Sequence, residues 1–203
     1  MGHFFTFEYV NIPQNIFTEI KAFGEIYEKI IKEQYGYSKF HWTGAHDFLC
    51  KCPITAGWMQ IKKLEINDVA VFSHTEHSPA HVDRKEGSTC AINIPIKNFA
   101  NSQVEIYHPV DLHKADSSFC LKKGGGTNAY TFDEDKLVLL EKYDSSQSVI
   151  LNTQIPHKSF NFTNKNRVMV SIRPKNSFVE TSRALRDEEK LQIFSQQFYK
   201  NTI

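Results

Sequence analysis

The feature that most restricts the fold is a rhythm between residues 58 and 173. Short runs rich in Val, Ile, Phe and Tyr alternate there with polar clusters that contain Gly, Asn, Asp and Pro. The runs span roughly 58–66, 68–73, 88–96, 103–107, 127–132, 136–140, 147–151, 157–163 and 167–173, with no helical pattern between them. Parallel strands need long crossovers, usually helices, so this arrangement predicts antiparallel strands in a sandwich or barrel. A jelly roll is the natural form. Two amphipathic helices flank the block. Over 12–36, Ile16, Ile20, Phe23, Ile26, Ile30 and Ile31 recur at spacings of three and four, with Pro13 near the start and Gly36 after the end. Over 181–200, Leu185, Leu191, Phe194 and Phe198 line one side behind Thr181 or Ser182 as a cap. The expectation is a mainly β chain, a double-stranded β-helix (cupin-like jelly roll) with flanking N- and C-terminal helices. It forms one domain over 1–203: a helical part to about 40, a β core over about 55–175 and a helix over about 180–200.

Composition narrows the function classes. With Lys+Arg 24 against Asp+Glu 23 the formal charge is +1, so the surplus of cations that a phosphate backbone demands is missing. Nucleic acid is not an expected partner. No apolar run approaches the ~20 residues that span a bilayer, so no membrane role is expected. The start of the chain carries no signal-peptide pattern, and Cys50, Cys52, Cys90 and Cys120 read as reduced thiols of a cytoplasmic protein. Gly124-Gly125-Gly126 lacks the Lys-Ser/Thr ending of a phosphate loop.

Function is sought among the nine His. His81 and Asp83 are two apart, which on an extended chain directs both side chains to one side. Alone, such a pair is a weak signal. His157 follows 76 residues later and opens a polar-apolar alternation. Reading Asn164-Lys165-Asn166 as a hairpin loop, with Asn166 left-handed, pairs Thr163 with Arg167 and His157 with Arg173. One face then holds His157, Ser159, Asn161, Thr163, Arg167, Met169, Ser171 and Arg173. The other holds Lys158, Phe160, Phe162, Val168, Val170 and Ile172, an apolar face expected beneath the two helices. A polar, cationic interior is costly unless it holds an anion. Two His and one carboxylate with open positions form the donor set of non-haem Fe(II) oxygenases. That makes His81, Asp83 and His157 the candidate metal ligands, and Arg167 with Ser171 the candidate carboxylate site.

The order H-x-D, a distal His, then Arg ten residues on and a hydroxyl residue four beyond it, resembles the 2-oxoglutarate/Fe(II)-dependent oxygenases. Within them it is similar to the prolyl hydroxylase and aspartyl/asparaginyl hydroxylase branch, over about residues 68–174. Cys90–Ile96 fits the strand that lines the cosubstrate pocket there, which adds Asn93 to the cofactor-binding candidates. The resemblance implies Fe(II), 2-oxoglutarate and dioxygen as cofactor and cosubstrates, with ascorbate as a stimulant. It implies hydroxylation of a C–H bond with release of succinate and carbon dioxide. Asp83 departs from the aspartyl hydroxylases, which lack the carboxylate ligand; its presence favours hydroxylation over halogenation. The substrate stays open among peptidyl Pro, Asp or Asn, an amino acid and a small metabolite, as does the oligomeric state. Arg173 is the alternative anion partner, and Arg84 a candidate substrate contact. His74 and His77 are read as loop residues near the mouth. Two other readings remain: a cupin-like metal protein that uses no 2-oxoglutarate (an isomerase or sensor, with His77 as a further ligand), and a non-catalytic β-sandwich binding module.

Overall fold

The computed structural model describes residues 6–35, 39–84, 87–109, 117–120, 128–132, 134–163 and 165–186. In chain order the elements are β1 Phe7–Tyr9, α1 Gln14–Tyr35, β2 Lys39–Trp42, α2 Ala45–Lys51, α3 Pro53–Ile61, β3 Ile66–His74, β4 His81–Arg84, β5 Cys90–Lys97 and β6 Ser102–Pro109. There follow β7 Ser117–Cys120, β8 Asn128–Thr131, β9 Leu137–Asp144, β10 Val149–Asn152, β11 His157–Asn161 and β12 Arg167–Pro174. Residues 178–186 form a further helix.

The strands make two sheets, ordered β1-β10-β5-β12-β3-β2 and β7-β8-β4-β11-β6-β9. Every described pairing is antiparallel. Four consecutive strands, β3 to β6, alternate between the sheets, and β10 to β12 alternate again on the way back. This winding is the double-stranded β-helix, a jelly roll of cupin-like form. β1 and β2 extend the first sheet, while β7 and β8 extend the second beside β4.

Alternation along each strand assigns the layers. On β12, Val168, Val170 and Ile172 are fully buried and join Ile16, Ile20, Phe23 and Ile31 of α1 in the main apolar core. The opposite face of β12 carries Arg167, Ser171 and Arg173, all buried, toward the second sheet. Within the roll a smaller apolar group, Val104, Ile106, Tyr143, Val149 and Leu151, closes one side. Gly24 allows α1 to approach the first sheet closely: a Cβ there would lie 3.0 Å from Val170 Cγ2 and 3.2 Å from Ile96 Cγ1.

Several local expectations are corrected. Residues 58–61 are helical, not the start of a strand, because Pro53 sits in the first turn of α3 and Thr55, Trp58 and Met59 recur at helical spacing on its buried face. The final helix begins at 178, ahead of Thr181 and Ser182, which are buried within it. Its cap is Ser177: Glu180 N–H donates to Ser177 Oγ at 3.3 Å, and Ser177 N–H donates back to Glu180 Oε2 at 2.8 Å. The expected helix beyond residue 186 lies outside the described residues, as do Cys120's side chain, His113 and the triple glycine.

The largest correction concerns β11 and β12. They do not form a hairpin: β11 pairs with β4 and β6, whereas β12 pairs with β3 and β5 in the other sheet. Both strands direct their polar face into the shared interior, so the separation of faces carries no information on whether they pair. Asn166 does not adopt the left-handed conformation, which among described non-glycine residues is taken by Lys63, Asn98 and Asn101. Asn166 instead ties the crossing to β3 by donating to Ser73 Oγ at 2.6 Å. The outward face of β11 therefore lies on the sheet away from α1. Phe160 stacks on Phe162 at 5.7 Å, and Phe162 is 60% exposed, so neither is sealed by the helices.

Two glycine substitutions should act in opposite directions in thermal or urea unfolding. Gly24→Val forces atoms into the contact between α1 and the first sheet and should cost about 1–3 kcal/mol. Gly57→Ala lies in α3, where a Cβ meets nothing within 4 Å, and should stabilise by up to about 1 kcal/mol.

Candidate metal centre

His157, at the start of β11, pairs directly with His81, the first residue of β4, and Asp83 lies two residues further along β4 on the same face. The three side chains converge, with candidate ligand atoms all within 4.8 Å of one another. Among the described residues they are the one such group of three or more His, Cys, Asp or Glu. Asp83 and His157 are buried and His81 is half-buried.

Hydrogen bonds set the presentation of both rings. His81 Nδ1–H donates to the Pro79 carbonyl at 2.8 Å, and His157 Nδ1–H donates to the Ile155 carbonyl at 2.9 Å. Since a carbonyl only accepts, each Nδ1 carries the proton and Nε2 is left with the lone pair that a metal could use. His81 Nε2 lies 3.3 Å from Asp83 Oδ1. The other oxygen, Oδ2, lies 2.7 Å from Arg173 Nη1 of β12. Burial alone would push the Asp83 carboxyl up, yet the Arg173 charge and the His81 hydrogen bond hold it well below its usual range. Burial pulls His157 down to about 4, aided by repulsion from His81. Burial also acts to lower His81, but its hydrogen bond and attraction to Asp83 prevail and raise it. A neutral His157 beside a carboxylate is ready to take a divalent cation, because no proton has to leave that ring near neutral pH. Two imidazole nitrogens and one carboxylate leave positions open for exogenous ligands, so this donor set fits a non-haem Fe(II) centre.

The candidate anion residues occupy two places. Arg167 is 2% exposed at the start of β12. Its Nη1 donates to the Phe160 carbonyl at 2.8 Å, Nη2 lies 3.4 Å from His74 Nδ1, and the guanidinium sits over the Phe99 ring at 5.5 Å. Nε is buried without a partner, and no carboxylate among the described residues pairs with it. Burial lowers its pKa to about 10, so the charge persists. Ser171 does not join Arg167: four residues of extended strand span about 13 Å. Its Oγ donates instead to Asn93 Oδ1 at 2.7 Å, and the Asn93 amide hydrogen-bonds the buried Tyr143 hydroxyl. Arg173 is engaged by Asp83 rather than by the Arg167 pocket.

Tyr143 and the Arg173–Asp83 contact are the residues that sequence reasoning missed. Tyr143 stands in a run, Leu137–Asp144, whose other residues are half-buried or exposed, so nothing in the local pattern marks it as interior. His74 and His77 are not in the metal cluster: His74 meets Arg167, and His77 Nδ1 accepts from Asn161 N–H at 3.0 Å while packing against Phe160 and Phe162. The side chain of Arg84 lies outside the described residues.

No family model matches the chain, and no curated protein matches it. Solved structures align with it at low identity. AviO1 from Streptomyces viridochromogenes aligns with TM-score 0.47 and 11% identity, over 84% of this chain and 90% of that one. The non-heme alpha-ketoglutarate-dependent epimerase SnoN from nogalamycin biosynthesis aligns with TM-score 0.45 and 11% identity, over 83% and 78%. A mutant of Bacillus subtilis oxalate decarboxylase OxdC aligns with TM-score 0.35 and 9% identity over 68% of this chain, which spans only 26% of the decarboxylase chain. No helix among the described residues is long and apolar enough to cross a membrane.

His74 generates a pH prediction. Burial and the Arg167 charge push its pKa down to about 4, below the ordinary value of 6.5. Between those values the unfolded chain binds the proton and the folded chain does not, so stability falls as pH drops from 6.5 toward 4. One such group contributes a slope of at most about 1.4 kcal/mol per pH unit. In urea titrations over that range, His74→Gln should flatten the loss relative to wild type.

Proposed function

We propose that the protein is a non-haem Fe(II) and 2-oxoglutarate-dependent dioxygenase that hydroxylates its substrate. The observation that carries this reading is the pairing, inside one roll, of a His81/Asp83/His157 donor set with a buried Arg167 that has no carboxylate partner among the described residues. In this reading His81 and His157 bind the metal through Nε2, and Asp83 supplies the anionic ligand. The metal with 2-oxoglutarate and dioxygen would supply the oxidising chemistry, releasing succinate and carbon dioxide.

The remaining roles fall to the chain itself. Phe160, whose carbonyl accepts from Arg167 of β12, lies about 10 Å along β11 from His157 at ~3.3 Å per residue. A five-carbon dicarboxylate anchored at the metal end can direct its far carboxylate toward that guanidinium, whose planar fork donates two parallel hydrogen bonds. Ser171, Asn93 and Tyr143 line the stretch between and offer polar contacts to the cosubstrate. Val104, Ile106, Val149 and Leu151 keep water from one flank of the interior. A peptidyl Pro, Asp or Asn, an amino acid or a small metabolite is the proposed substrate. A reducing compartment such as the cytoplasm suits both Fe(II) and the free thiols Cys50, Cys52 and Cys90.

A 2-oxoglutarate-to-succinate assay with iron and ascorbate, run over peptide and metabolite pools, tests the reading. Asp83→Ala and His157→Ala should each abolish succinate formation, and undiminished turnover in both would contradict it. Arg167→Ala should raise the 2-oxoglutarate KM by roughly 10- to 150-fold with the metal still bound, since it removes a charged hydrogen-bonded contact of roughly 1.5–3 kcal/mol.

A further inference from the structure

Arg173 has no place in the donor set or in the pocket around Arg167, yet it is 4% exposed and reaches from one sheet to the other to meet Asp83. The β12–β3 ladder shifts register between Arg173 and Pro174, which face Asp68 and Ile66. The extra residue is Asn67 of β3, so the bulge lies on the strand that faces Arg173 and ends the regular ladder beside it. Nη1 lies 2.7 Å from Asp83 Oδ2, while Oδ1 faces His81 Nε2 at 3.3 Å. The two carboxylate oxygens are therefore divided between two neighbours.

We propose that Arg173 is a positioning residue: by occupying Oδ2 of Asp83 it leaves Oδ1 as the one carboxylate atom offered to a divalent metal. This rests on the metal-centre reading above and adds how the ligand is held. Carboxylates bind cations through one oxygen or chelate through both. Chelation by Asp83 would bring the cation against the guanidinium, and like charges at that distance in a buried site repel strongly. Arg suits the role because its guanidinium is a rigid, planar cationic donor that can be aimed at one carboxylate oxygen. A one-oxygen ligand leaves an additional coordination position for exogenous groups. A residue that merely stapled the sheets together would leave the coordination of the metal unaltered when replaced by a neutral side chain.

The test uses the full chain loaded with Co(II) alone, whose visible spectrum reports coordination number and geometry. Arg173→Gln should retain Co(II) binding but shift the positions and intensities of the bands, and Arg173→Lys, which keeps a cationic donor, should return them toward wild type. A Gln variant with a spectrum superimposable on wild type overturns the proposal, as does a Lys variant no closer to wild type than Gln. If the variants do not fold, the wild type decides through a Zn(II)-minus-metal-free infrared difference spectrum with isotopically labelled aspartate. Widely separated carboxylate stretches, the signature of one-oxygen ligation, support the proposal; the narrow separation of a chelate overturns it. Wild-type protein that binds no Co(II) contradicts the metal-centre reading itself, and so separates that failure from this one.

Discussion

The direct pairing of His157 with His81 across β11 and β4 is the constraint on which the rest of the site depends. It brings together two residues 76 apart in sequence and places their ring centroids 4.4 Å apart. Asp83 then needs no separate positioning, because the two-residue period of β4 delivers it to the same face. Each imidazole is oriented by a carbonyl two residues before it, Pro79 for His81 and Ile155 for His157. The backbone entering each strand thus selects the nitrogen that faces the interior. The jelly roll is what makes such a pairing available, since its winding lays β4 beside β11 in one sheet.

An interior with this much charge is stable only because its outer layer is strongly apolar. Helix α1 and the outward residues of β3, β5 and β12 make a continuous buried core on one side of the first sheet. That core holds the same strands whose inward residues are Asn93, Arg167, Ser171 and Arg173. Arg173 and Asp83 neutralise one another. Arg167 is different: it keeps its charge in a buried place with carbonyl, imidazole and aromatic neighbours. Burying such a charge costs free energy, which the carboxylate of the proposed cosubstrate would offset.

Much of the architecture was legible in the sequence because the β-branched runs of β3, β5, β10 and β12 carry their own signal. The errors have physical causes. Residues 53–66 hold apolar positions that satisfy a helix and a strand about equally, and Pro53 decided in favour of the helix. β4 is four residues long and largely polar, so it shows no strand pattern although it carries two of the three site residues. For β11 and β12 the alternation identifies the faces but not the partner, because strands of opposing sheets show the same alternation as strands of a hairpin. The convergence of His81, Asp83 and His157 follows from residue type, order and face, which survive an error of pairing. The division of labour between Arg167 and Arg173 was not accessible, since both lie on the same face of β12 and only the fold says which one meets Asp83.

The central claim is that the His81/Asp83/His157 cluster binds Fe(II) with open positions that 2-oxoglutarate fills. The most direct measurement is the visible spectrum of the Fe(II)-loaded protein under anaerobic conditions before and after adding 2-oxoglutarate. The account predicts a new metal-to-ligand charge-transfer band in the wild type that is absent in His157→Ala. An Fe(II)-loaded wild type whose spectrum does not respond to saturating 2-oxoglutarate would contradict it.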